Sequence, residues 1–127
     1  MSKKILIVDD EPHIRLLLEQ TLDELEDHDV EMLTATNGQE ALDTVADERP
    51  DLLLLDVMMP FVNGLDVCRR IKGDPSTAGI KVVMLTAKGQ DLDRQVGLDV
   101  GADRYVTKPF DPDEVLDIAA SLLGIEL

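Results

Sequence analysis

Asp9-Asp10, Asp56, Thr86 and Lys108 each stand at or just beyond the end of a short apolar run: Ile5 to Val8, Leu52 to Leu55, Val82 to Leu85 and Tyr105 to Val106. Three carboxylates, a hydroxyl and an ammonium form a set that can bind a cation and then an anion. If the runs ending in Asp9-Asp10 and Asp56 are neighbours, the three acids converge. Two like charges about 4 Å apart repel by roughly 4 kcal/mol at an effective dielectric of 20. Protonating one acid would offset this. A hard dication suits an all-oxygen ligand set better, and Mg²⁺ takes one or two carboxylates while keeping several waters, so Mg²⁺ is the expected metal. Its two positive charges and the one on Lys108 cancel the three aspartates, leaving a site poised to accept an anion.

The elements that must position these residues follow from hydrophobic periodicity. The four runs and a fifth, Met32 to Ala35, have strand length. Three of them are apolar without alternation, as expected of a parallel sheet covered on both faces by helices. Between the runs the period becomes helical. Ile14, Leu17, Leu18, Leu22 and Leu25 form one stripe after Pro12, and Ala41, Leu42, Val45 and Ala46 a second after an Asn37 cap with Glu40 three residues on. Leu65, Cys68 and Ile71 suggest a third helix; Leu92, Val96 and Val100, interrupted by Gly97, suggest a weaker fourth. The fifth carries Val115, Ala119, Leu122 and Leu123, with Asp111 as cap, Pro112 in the first turn, Glu114 closing a capping box and Gly124 at the end. Five βα units with right-handed crossovers make an α/β, doubly wound parallel sheet, whose ligands bind at the carboxyl ends of the strands.

Composition narrows the function classes. The chain has 127 residues, one domain's worth, with 12 Lys plus Arg against 27 Asp plus Glu and a net charge of −15. No basic stripe exists to bind a phosphate backbone, so direct nucleic-acid binding is not expected, nor is attachment to an anionic membrane. No apolar run approaches the roughly 20 residues that span a bilayer. Cys68 is the single cysteine and no signal peptide precedes the first strand, so a reducing cytoplasm is the expected location.

Lys3-Lys4-Ile5-Leu6-Ile7-Val8-Asp9-Asp10-Glu11, Asp56-Val57-Met58-Met59-Pro60 with Gly64, Leu85-Thr86-Ala87 and Thr107-Lys108-Pro109-Phe110 stand in this order and at these separations. Together they resemble the receiver domains of two-component response regulators, over the whole chain. The resemblance implies a flavodoxin-like fold with strand order 2-1-3-4-5. It implies that Asp56 is the phosphoacceptor and that Asp9, Asp10, Asp56 and the backbone carbonyl of Met58 hold Mg²⁺. Thr86 and Lys108 would contact phosphoryl oxygens, the small Ala87 would leave room beside the acceptor, and the Lys108-Pro109 bond would be cis.

By the same resemblance, Thr86 moves toward the phosphoryl group, Tyr105 turns inward behind it, and the face of the fourth helix, fifth strand and fifth helix changes shape. The implied donor is a sensor histidine kinase or histidine phosphotransfer protein, and the implied recipient a downstream protein target. A phosphorylation-dependent dimer, if one forms, would use that same face. Such a chain assists its own phosphorylation and dephosphorylation without being a turnover enzyme. No effector domain follows the fifth helix, so residues 1–127 are expected to be one receiver domain that either docks on a target or is a piece of a longer regulator.

Other readings compete. Asp9-Asp10 in isolation could be a solvated turn, Asp56 a loop cap, Thr86 a backbone partner, Lys108 a surface charge and Tyr105 ordinary packing. His13 and His28 lack any ligand pattern and read as exposed helix residues, and Cys68 reads as a buried filler. An aspartate-nucleophile phosphatase of the haloacid dehalogenase type would carry a second acid at position 58, where this chain has Met58. A flavodoxin-like nucleotide binder would need glycines or hydroxyls where Asp9-Asp10-Glu11-Pro12 would repel phosphate. A receiver-shaped interaction module working without phosphorylation is the remaining rival. Asn63 departs from the family's usual acidic residue before the loop glycine, and Met58 and Lys88 occupy positions that influence phosphoryl lifetime in such domains.

Overall fold

The apolar runs form strands because their aliphatic side chains find cover on both faces. The computed structural model describes residues 3–59, 62–87 and 101–127. Five strands, β1 (Lys3–Val8), β2 (Val30–Ala35), β3 (Leu52–Asp56), β4 (Lys81–Ala87) and β5 (Arg104–Lys108), form one sheet in the order β2-β1-β3-β4-β5. Every pairing is parallel. On one face Ile5, Ile7, Leu52, Leu54, Val83 and Leu85 pack with Leu18, Leu22, Val115 and Ala119; on the other Leu6, Val8, Leu53, Leu55, Val82 and Met84 pack with Ala41, Val45, Val67, Cys68 and Ile71. Each such aliphatic side chain contributes about 1.5–3 kcal/mol of burial. The fold is the doubly wound, flavodoxin-like one expected.

The helices are α1 (Pro12–Thr21), α2 (Gly38–Glu48), α3 (Gly64–Gly73) and α4 (Pro112–Leu123), with a 3₁₀ helix at Asp23–His28. α4 is the fifth helix of the sequence reading; the fourth, on Leu92, Val96 and Val100, lies outside the described residues. Asn37 caps α2 by accepting from the Glu40 N–H, while the Glu40 carboxylate accepts from the Thr36 hydroxyl. Asp111 caps α4 by accepting from the Asp113 N–H, Glu114 stays exposed, and Gly124 ends the helix in the left-handed region at φ 71°.

Two expectations about helical faces are corrected. The stripe from Ile14 to Leu25 is not one helix: α1 stops at Thr21 and Leu25 is buried from the 3₁₀ turn. Asp23, Glu24 and Glu26 would otherwise load negative charge onto a helix C-terminus that has no basic residue in its last turn, against the dipole. Asp29, at φ 64°, then reverses the chain into β2. Within α1, Leu17 is 41% exposed, because Leu18 and Leu22 already fill the contact with the sheet. Ala46 is likewise exposed rather than packed. Among the described residues no helix is long and apolar enough to cross a membrane.

Candidate functional site

Ladder register brings the reactive residues to one edge. Val8 pairs with Ala35 and with Leu55, Asp56 with Leu85, Thr86 with Thr107, and Ala87 with Lys108, so the strands run out of partners together and the residues just beyond share one rim. Asp9 and Asp10 follow β1, Asp56 closes β3, and Lys108 closes β5. Carboxylate oxygens of Asp9, Asp10 and Asp56 all lie within 4.8 Å of one another. This is the crowding that the sequence implied for neighbouring first and third strands.

Burial divides the three acids. Asp9 is fully buried and Asp56 is 4% exposed, whereas Asp10 faces solvent. The Lys108 ammonium donates to Asp9 Oδ2 at 2.9 Å and lies 3.4 Å from Asp56 Oδ1, bridging the two buried carboxylates. Asp9 Oδ1 accepts from the Glu11 N–H at 2.9 Å, and Asp56 Oδ1 accepts weakly from the Met58 N–H at 3.3 Å. One ammonium is shared by two buried acids beside a third.

The imbalance is visible in the protonation equilibria. Burial, with the charge of Asp9 adding to it, pushes the Asp56 carboxyl up to about 6, against the opposing pull of Lys108 and the Met58 N–H. For Lys108 burial acts downward, but the hydrogen bond to Asp9 and the charges of Asp56 and Asp9 outweigh it and the ammonium is held above its ordinary range. The site is short of positive charge. An all-oxygen donor set with that deficit fits a hard divalent cation, and the Asp9, Asp10 and Asp56 carboxylates are the residues that could hold one.

The remaining expected residues are distributed as follows. Thr86 is 2% exposed, near the end of β4. Tyr105 is half-buried on β5, opposite Met84, and packs against the second core cluster. Since Met84 and Thr86 are two apart on β4, Tyr105 and Thr86 share a sheet face as diagonal neighbours. Met58 is 60% exposed at the rim, and the Lys108–Pro109 peptide bond is cis. Lys88 lies outside the described residues. His13 is exposed and pairs with Glu11 at 3.2 Å, His28 is exposed, and Cys68 is fully buried.

Three residues at the site have roles that their place in the sequence does not state. Asn63 caps α3 by accepting from the Asp66 N–H, so the departure from the family pattern is a cap that shapes the loop behind Asp56. Gly64 is required by space: a Cβ there would stand 2.1 Å from the Asp56 carbonyl oxygen. Arg15 reaches back from α1 to the Asp9 carbonyl oxygen at 2.8 Å. Asn63 and Gly64 are marked by position and Arg15 is not, but all three roles come from the fold, since a cap, a close approach and a return contact are relations between residues in space. Beside Lys108 an open apolar hollow of about 290 Å³ is lined by Ile14, Leu17, Lys108, Pro109 and Phe110.

Comparison with known proteins places the chain in a family. A family profile described as the response regulator receiver domain matches residues 5–120. The chain is 46% identical over 115 residues to the alkaline phosphatase synthesis transcriptional regulatory protein PhoP of Bacillus subtilis, covering 91% of this chain and 46% of that protein. It is 47% identical over 116 residues to the phosphate regulon transcriptional regulatory protein PhoB of Pseudomonas aeruginosa, covering 91% of this chain and 49% of the relative. The chain thus spans about half the length of these relatives. A crystal structure of a putative response regulator from Chloroflexus aurantiacus superposes with a TM-score of 0.90 at 32% identity, covering 98% of this chain and 99% of that one.

Proposed function

The chain belongs to the response regulator receiver domain family, and on that premise we propose that Asp56 accepts a phosphoryl group from a phosphohistidine donor and that the modification alters a protein-binding face. The observation that carries this reading is the buried Asp56 carboxylate at the end of β3, in contact with the Lys108 ammonium and within reach of two further acids. An Asp56 carboxylate oxygen attacks phosphorus, the P–N bond to the donor imidazole breaks, and the imidazole leaves with the electron pair of that bond. Lys108 places its ammonium on a phosphoryl oxygen and the Thr86 hydroxyl donates to another. Asp9, Asp10, Asp56 and the Met58 carbonyl would hold Mg²⁺, which when bound would supply charge neutralisation for the incoming anion.

Signalling follows from replacing one carboxylate charge by a phosphoryl group carrying roughly −1.5 to −2. Thr86 senses it, Tyr105 on the same sheet face responds, and the equilibrium between two conformers shifts. Nothing in the site supplies a second acid at Met58 to release phosphate repeatedly, so the chain signals rather than turning over a substrate. The proposed donor is a sensor histidine kinase or histidine phosphotransfer protein, and we propose that it docks on the apolar hollow whose wall includes Lys108, the residue that reaches Asp56. The proposed output, given that the matched relatives are transcriptional regulators about twice as long, is control of an attached or separately docked effector.

Incubation with acetyl phosphate and Mg²⁺ followed by intact mass measurement tests the core of this reading. A gain of one phosphoryl mass, lost in Asp56→Asn, is the expected result. No gain would favour a receiver-shaped interaction module.

A further inference from the structure

We propose that Arg15 is a positioning residue for the acidic site: its guanidinium fixes the main chain at Asp9 and thereby aims the Asp9 and Asp10 carboxylates at a divalent cation. The inference rests on the metal-assisted reading given above. Its basis is the contact from Arg15 Nη1, one turn into α1, to the Asp9 carbonyl oxygen at 2.8 Å.

Asp9 is fully buried, and each of its polar atoms has an assigned partner. Its N–H donates to the Ala35 carbonyl at 3.3 Å, Oδ1 accepts from the Glu11 N–H, Oδ2 accepts from Lys108, and the carbonyl accepts from Arg15. That carbonyl lies past Val8, the last ladder residue of β1, so no neighbouring strand serves it. Without the guanidinium it becomes a buried acceptor with no partner, and the peptide plane joining Asp9 to Asp10 loses its restraint. A change in ψ at Asp9 then shifts Asp10 relative to Asp9, so the spacing of the two carboxylates is no longer held. The two acids already repel each other, and an unrestrained turn lets them part.

The helix itself offers little substitute. α1 opens on Glu11, whose side chain makes no capping hydrogen bond, and Pro12 brings no N–H. Among the described residues the turn is otherwise tied to α1 by the Glu11 carbonyl, which accepts from the N–H groups of Ile14 and Arg15 at 3.1 and 3.2 Å, and by the exposed His13–Glu11 pair at 3.2 Å. A hydrogen bond from a charged donor is roughly twice as strong as a neutral one, so Arg15 is the firmest link from helix to turn.

Arg15 could act on a cation in two ways of opposite sign. As a charge it repels a dication; as a tether it holds the ligands in place. Geometry favours the tether, since the guanidinium meets a carbonyl, and among the described residues the ion pairs of Asp9 and Asp56 are with Lys108.

Calorimetric Mg²⁺ titration of the wild-type chain, Arg15→Met and Arg15→Lys, with thermal unfolding of each in EDTA, separates these roles without any phosphodonor. Arg15→Met keeps the stem and removes donor and charge. It is expected to bind Mg²⁺ about 10-fold or more weakly, the lower end of what losing a ligand-orienting partner costs. Arg15→Lys, which restores a charged donor, is expected to recover most of the affinity. Unchanged affinity in Arg15→Met with only a lowered Tm overturns the proposal in favour of a merely structural role, and tighter binding overturns it in favour of charge alone. If Arg15→Met does not fold, Arg15→Leu, which also lacks donor and charge, takes its place with the same expectation. Absence of binding by the wild-type chain overturns the metal reading of the site and this inference with it. Wild-type binding that the variants leave untouched overturns the role of Arg15 only.

Discussion

At the scale of single residues, the site is defined by a carboxylate that its surroundings make reluctant to ionise. Asp56 titrates at about 6, above the usual carboxylate range, because burial and the Asp9 charge outweigh Lys108. The folded state therefore binds the Asp56 proton more tightly than the unfolded chain does. Its contribution to stability is fully present below the unfolded value, near 4, and is lost as pH rises through 6. At neutral pH and without metal, this leaves a penalty on the order of 3 kcal/mol, since each unit corresponds to about 1.4 kcal/mol. Asp56→Asn is accordingly expected to stabilise the metal-free chain at pH 7. Urea unfolding should show that advantage shrinking as pH falls from 7 toward 4.5; an advantage independent of pH would remove ionisation as its cause. The positions of Asp9-Asp10, Asp56, Thr86 and Lys108 after apolar runs were legible from the sequence alone. The reach of one ammonium to two acids was not, because β3 and β4 stand between β1 and β5 and only the folded arrangement carries the Lys108 side chain across to Asp9.

Elements position these residues by close approach and by caps. The turn from β3 to α3 brings Gly64 onto the Asp56 backbone so tightly that a methyl group meets carbonyl oxygen at 2.1 Å, an obstacle that a side-chain rotation cannot relieve. Gly64→Ala is expected to cost about 1–3 kcal/mol, the range for overpacked sites. By shifting the Asp56 main chain it should also slow phosphorylation by acetyl phosphate several-fold, measured as the rate of mass gain. Retention of wild-type rate and stability would show that the loop can yield. Helix punctuation was legible at Asn37, Asp111 and Gly124, since a cap depends on a residue and its next few neighbours. The end of α1 was not legible, because the periodicity of Leu18, Leu22 and Leu25 continues unbroken where the backbone changes to 3₁₀. Helical and 3₁₀ turns differ little in which side chains they direct inward over so short a span.

For the whole molecule, the consequences are linkage and docking. A ligand that binds only the folded state stabilises it by RT ln(1 + [L]/Kd), about 2.7 kcal/mol at a hundredfold excess over Kd. Mg²⁺ should therefore raise Tm and EDTA should reverse the rise, with little response in Asp56→Asn; a Tm indifferent to Mg²⁺ would argue against the metal. The exposed Leu17, beside Phe110 and Pro109, lets phosphotransfer be separated from chemistry. Leu17→Glu is expected to slow phosphorylation by a phosphohistidine protein at least several-fold while leaving acetyl phosphate labelling unchanged. Equal loss with both donors would place the damage in the site rather than at a docking face.

Local signals were enough to establish strands covered on both faces, amphipathic helices between them, and acids, a hydroxyl and a lysine at the strand ends. Periodicity and turn chemistry are properties of neighbours along the chain. The tertiary structure decided which acid is buried and which is exposed, that Lys108 bridges Asp9 and Asp56, that Gly64 must lack a side chain, and that Arg15 returns to Asp9. Those outcomes depend on distances between segments far apart in sequence, and they appear only when the parallel ladder sets β1, β3, β4 and β5 in register along a single rim.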